Sequence, residues 1–203
     1  MSIFRDLFRP RRRSPVPLET QLGTLVGCGI ALAPGLTPDI LTSVIPRDTL
    51  EAEPYLLTLT LMGGGGEDEA MGSGFLSDHI WHFDTECIEN HGDYAAIARR
   101  MQTLAQGDLP LEEIQDHVDV EEGEAWIAFR LGGQAYRWEA KVEDDWVDDR
   151  ILTRFADLLV EQRRGRRFTY IDLGGQDCLI GCSTPAQRSA LRERTGLAVE
   201  WLS

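Results

Sequence analysis

The chain has 203 residues, 42% of them hydrophobic and 27% charged. That is enough to bury roughly 70% of the unfolded surface, in one large domain or two small ones. No apolar run approaches the ~20 residues of a membrane span, and the basic start is not followed by the apolar segment of a secretory leader. Net charge is −14; the first thirteen residues hold five Arg against one Asp, which leaves −18 for the remainder. A body this acidic repels nucleic acid and membrane surfaces and attracts basic partners. Cys28, Cys87, Cys178 and Cys182 show no C-x-x-C spacing, so the simplest account is reduced thiols in a cytoplasm.

Residues 1–17 read as a basic tail. Phe4, Leu7 and Phe8 give one amphipathic turn, too small an apolar face for stable membrane anchoring. Residues 18–110 read as a half of helices with a strand or two, and 111–203 as an α+β half. Leu18 to Ala31 begins as a helix, with Leu18, Leu22, Leu25 and Val26 on one side. Thr37-Pro38 caps a second helix that Pro46 stops, and Asp48 with Glu51 forms a capping box for a single turn. Tyr55 to Met62 is predicted as a strand, with Leu57, Leu59 and Leu61 facing inward. GGGGEDEAMGSG, from Gly63 to Gly74, lacks the Lys-Ser/Thr of a phosphate loop and reads as a surface loop. Asp93 caps a helix running through Gln106, and Leu109 to Val118 is predicted as a short acidic helix.

The second half carries the clearer patterns. A Gly132-Gly133 turn within Glu124 to Lys141 pairs Phe129 with Tyr136, Ile127 with Trp138 and Ala125 with Ala140, all on one face. Trp126 is the exception on the polar face. Asp148 to Arg164 is the strongest amphipathic helix. Phe168 to Leu173 and Cys178 to Cys182 are apolar on both faces, which places their hairpin inside a sheet covered on both sides. A two-residue Gly174-Gly175 turn would set Asp172 opposite Asp177, a like-charge pair that a longer loop would relieve. Thr184, Pro185 and Gln187 form a capping box, Gly196 ends that helix, and Leu197, Val199 and a buried Trp201 alternate along a last strand. The order ββαββαβ predicts an α+β fold: a mainly antiparallel sheet with packed helices.

Two blocks, IWHFDTECIENHGDYAAI from Ile80 and RFTYIDLGGQDCLIGCSTPAQRSALRERTGLAVEW from Arg167, resemble a family of uncharacterised bacterial proteins. The resemblance implies a bacterial cytoplasmic setting. In style the chain is similar to the immunity proteins encoded beside polymorphic toxins.

His79, His82, Cys87 and His91 are of types that zinc accepts, and a metal-dependent hydrolase built on this window is the competing functional reading. Ile80, Trp81 and Phe83 favour a strand from Asp78 to Phe83, which would turn His79 and His82 to opposite faces and away from a shared ion. The bland reading is structural hydrogen bonding; a middle one is a surface patch of Trp81, His82, Asp84 and Glu86. An acidic run of Glu143, Asp144, Asp145, Asp148 and Asp149 flanks Trp146 and lacks calcium-loop spacing. It marks a solvated face and a helix N-terminus, or a surface that meets Lys and Arg of a partner with Trp146 as anchor. No nucleophile elbow, H-E-x-x-H, dinucleotide fingerprint or phosphate loop is present. The leading expectation is a cytoplasmic, non-enzymatic binding protein without cofactor that occludes a basic, toxin-like protein. A subunit or adaptor of a larger assembly is the third possibility.

Overall fold

In the computed structural model, residues 14–64 and 74–203 are described. Predictions for Phe4, Leu7, Phe8 and most of the glycine-rich loop lie outside those residues. Four short helices come first: α1 (Leu18–Val26), α2 (Asp39–Val44), α3 (Arg47–Ala52) and α4 (Leu56–Gly63). Strand β1 (Ile80–Asp84), helix α5 (Asp93–Leu104) and strand β2 (Leu111–Asp119) follow. The hairpin β3 (Glu124–Leu131) and β4 (Gln134–Ala140) leads to α6 (Asp149–Glu161). The chain closes with β5 (Arg167–Asp172), β6 (Asp177–Ser183), α7 (Pro185–Thr195) and β7 (Glu200–Trp201). The strands form a four-stranded sheet, β1-β6-β5-β7, and a three-stranded one, β2-β3-β4, both antiparallel. This is the expected α+β layout, with the ββαββαβ order intact from Glu124. Among the described residues no helix is long and apolar enough to cross a membrane.

The β5–β6 hairpin lies inside its sheet and separates two cores. Phe168, Cys178, Ile180 and Cys182 join Phe83 in one core with α5, α6 and the three-stranded sheet. Ile171 and Leu179 face the other way, into a core with the N-terminal helices, α7 and Val199. Helix α5 touches β1 on one side and β2 and β3 on the other, and α6 touches β5 and β4, so these two helices bridge the sheets.

Two elements and one cap differ from the sequence reading. Tyr55–Met62 is helical: α4 is apolar all round, and it packs against β1 and β6. Its Gly63 abuts strand backbone, where a Cβ would lie 2.5 Å from His82 N and 2.9 Å from Trp81 C. Tyr55 enters the helix at φ 71°, ψ −55°, with Leu56 N–H donating to Pro54 O at 3.0 Å, a strained three-residue turn. Buried Gln21 holds that turn: Oε1 accepts from Tyr55 N–H (2.8 Å) and the Thr58 hydroxyl (2.7 Å), while Nε2 donates to the Val16 and Leu50 carbonyls. The stretch read as an acidic helix is strand β2, with a bulge between Glu112 and Gln115 and Glu113 at φ 52°. The predicted box at Asp48 does not form, because Glu51 accepts the Leu18 N–H and Asp48 accepts from its neighbour Thr49.

Other caps shift by a residue or find a remote partner. Pro38 replaces Thr37 as the cap of α2. At α5, Asp116 of β2 accepts the N–H groups of Gly92 and Ala95, while Asp93 accepts those of Glu89 and Asn90. The Thr184–Gln187 box and the left-handed Gly196 stand as read, as does the β3–β4 register. The β5–β6 turn is one residue longer than two, so Asp172 opposes Cys178. Asp177 instead opposes Asp84 across β1–β6, relieved by His82 Nε2 at 3.3 Å from Asp177 Oδ1 and by Gln176 Nε2 donating to Asp84. Only Glu200 and Trp201 pair as the last strand, and Trp201 is half-buried, its ring flanked by the Arg167 and Arg188 guanidinium groups at 4.7 Å each.

Gly63→Ala therefore lowers stability by about 1–3 kcal/mol, because strand backbone cannot move aside. Gly64→Ala, whose Cβ meets nothing closer than 3.5 Å, is the tolerated control. Thermal denaturation checks both; an unchanged midpoint for Gly63→Ala would contradict this packing.

Candidate functional site: an acidic and aromatic surface beside a groove

Beyond Asp84 the chain leaves β1 and pairs with the segment that precedes α6. Val147 N–H donates to Thr85 O at 2.8 Å, and Asp145 O accepts from Cys87 N–H (2.8 Å) and Ile88 N–H (2.9 Å). Glu86 thereby bridges directly across to Trp146. Asp144, at φ 49°, turns the chain into this pairing. Two stretches some sixty residues apart in sequence are brought together, setting Glu86, which accepts from Gln176 Nε2 at 3.0 Å, opposite Trp146; Asp145 lines a second depression with Ile88 and Val120, Asp144 borders both, and Asp84 and Asp149 are exposed nearby along the chain. Trp146 is 42% exposed, unusual for a residue of its size.

The remaining predicted residues are placed differently. Trp81 packs on Phe83 with centroids 4.3 Å apart and lines a separate depression of about 640 Å³ beside Arg100. His82 alternates to the opposite face of β1, beside Asp177. Asp148 is only 7% exposed and holds the entry to α6. Its carboxylate accepts from Lys141 N–H (2.7 Å), Arg150 N–H (3.1 Å) and Arg150 Nε (2.8 Å), and its own N–H donates to the buried Tyr94 hydroxyl. Asp148 is therefore a structural anchor whose carboxylate is already held within the chain.

The four candidate zinc ligands do not converge. His79 Nδ1 lies 3.4 Å from Ala31 O, and His91 Nδ1 accepts the Val118 N–H at 2.9 Å while its ring packs on His117. Burial, reinforced by the Asp93, Asp84 and Asp145 carboxylates, pushes the Cys87 thiol up to about 12. Among the described residues no three His, Cys, Asp or Glu side chains are grouped to hold a metal ion.

A groove of about 850 Å³ opens beside the acidic surface. Half-buried Tyr170 forms its floor over buried Cys178 and Ile180, and its walls include Trp146, Trp201 and Leu202. Sequence reasoning missed the contribution of Tyr170 and Trp201. The alternation puts Tyr170 on the Phe168 face, yet nothing in it says that α6 leaves that end of the face uncovered. Comparison with protein-family models, curated proteins and solved structures finds no match.

Burial alone would raise the Asp148 carboxyl, but Arg150 and the two backbone N–H donors outweigh it and hold it below the usual carboxylate range. A carboxyl depressed on folding contributes stability above its unfolded value, about pH 4, that is lost as pH falls through its folded value. Asp148→Ala is expected to cost about 1–2 kcal/mol at neutral pH through the lost cap, and to flatten the acid limb of the stability curve below pH about 4. Urea denaturation across pH checks this; an acid limb identical to the unsubstituted protein's would contradict it.

Proposed function

We propose that this is a non-enzymatic binding protein that acts in the cytoplasm as an immunity-type inhibitor, covering the cationic active-site cleft of a basic, toxin-like protein. The observation that carries the reading is the backbone pairing of residues 85–88 with 145–147, which sets Glu86 beside an exposed Trp146. Acidic side chains on a body of charge −18 steer a cationic partner into encounter, an effect that salt screens. An exposed Trp set among them supplies the amphipathic contact area typical of interface anchors. Association rate then belongs to Glu86, Asp144, Asp145 and Asp149, and residence time to Trp146. The contact proposed here does not use Trp81, His82 or Asp148.

The test uses the purified full chain as bait in lysate of its source cells, beside the Asp144→Lys/Asp149→Lys double variant. The unsubstituted protein is expected to retain a basic protein, and the variant to associate with it about tenfold or more slowly in low salt. Trp146→Ala should raise the dissociation rate instead. A partner bound equally by the charge-reversed protein, with no dependence on salt, would contradict the proposal.

A further inference from the structure

The groove carries a more specific reading of that same surface, and it rests on the binding function proposed above. The accessible part of its floor is Tyr170, with Cys178 and Ile180 buried beneath. Phe168 and Cys182 lie under the core, while Tyr170 on the same face stays half-buried at the groove. The Tyr170 hydroxyl makes no hydrogen bond among the described residues. Leu202 adds aliphatic surface, and Trp146 and Trp201 add two aromatic walls.

The rim has an uneven charge. Its two cations are satisfied within the chain: Lys141 Nζ lies 2.6 Å from Glu143 Oε2, and Arg150 forks onto Asp148. Asp144 and Asp149 are exposed at the same rim and form no ion pair among the described residues. At the Trp146 end the uncompensated charge is therefore negative, while Arg167 and Arg188 stack on the Trp201 wall. Apolar surface left open to water favours an apolar occupant, and free carboxylates at its mouth favour cations beside that occupant.

We infer that the groove receives an aromatic or branched aliphatic side chain from a partner segment that carries Arg or Lys on both sides, the cations meeting Asp144 and Asp149. The apolar residue is the anchor that resists dissociation, and the flanking cations set its approach. Cys178 takes no chemical part, because burial pushes its thiol up to about 12.

The experiment is an NMR titration of the isotope-labelled full chain with three synthetic peptides. These are Gly-Arg-Arg-Leu-Phe-Arg-Arg-Gly, a version with Ser-Ser in place of Leu-Phe, and a version with Gln in place of every Arg. The first is expected to shift the amides of Thr85, Val147, Tyr170, Ile180 and Leu202 together with those of the rim. Replacing Leu-Phe should weaken binding about tenfold or more and confine the shifts to residues 143–149. Equal affinity of the first two peptides, with shifts at the rim alone, would overturn the anchor while leaving the acidic-surface reading intact. Equal binding of the Gln peptide, or no shift on this side of the molecule with any peptide, would overturn both.

Discussion

Everything in this fold depends on one constraint: β5 and β6 are apolar on both faces and must be covered twice. A hairpin of this kind is unstable at the surface, since either face alone would expose several large side chains. The chain meets the demand asymmetrically. The N-terminal helices and α7 close one face, with α4 so near β1 that glycine is required at residue 63. On the other face α5 and α6 are shared with a second sheet, β2-β3-β4. Helices serving two sheets leave Tyr170 only half-buried at one end of that face, and the groove opens there over buried Cys178 and Ile180.

The acidic surface follows from the same arrangement. Helix α6 must begin beside the sheet, and its entry is fixed by buried Asp148, tied to Tyr94 of α5 and to the Lys141 backbone. Fixing Asp148 brings the preceding residues against Thr85–Ile88, so Trp146 has nowhere to go but outward. One carboxylate is spent on structure, and its neighbours Asp144 and Asp149 remain free. This division among adjacent aspartates separates what holds the surface in place from what that surface offers a partner.

Much of this was legible from residue order. The β3–β4 register follows from strict alternation about Gly132-Gly133, and the ends of α7 follow from Thr184, Pro185, Gln187 and Gly196. Two elements were misread for identifiable reasons. In α4, Leu57, Leu59 and Leu61 recur every second residue, but a helix apolar nearly all round carries leucines at any spacing. In β2, Leu111 and Val118 both face the core although seven residues apart. An unbroken strand would put them on opposite faces, and the bulge at Glu113 restores their common side while leaving a helix-like spacing. Asp116 as the cap of α5 and the meeting of Glu86 with Trp146 were not legible, because each joins residues that only tertiary structure brings together.

The central claim is that the partly covered sheet face and the acidic segment beside it form one binding surface. Hydrogen–deuterium exchange of the full chain, free and bound to the partner it retains, tests this most directly. The account predicts slowed exchange in residues 84–88, 141–149, 170–180 and 200–203, with the N-terminal helical face unchanged. Protection confined to α1–α4, with none in those segments, would contradict it.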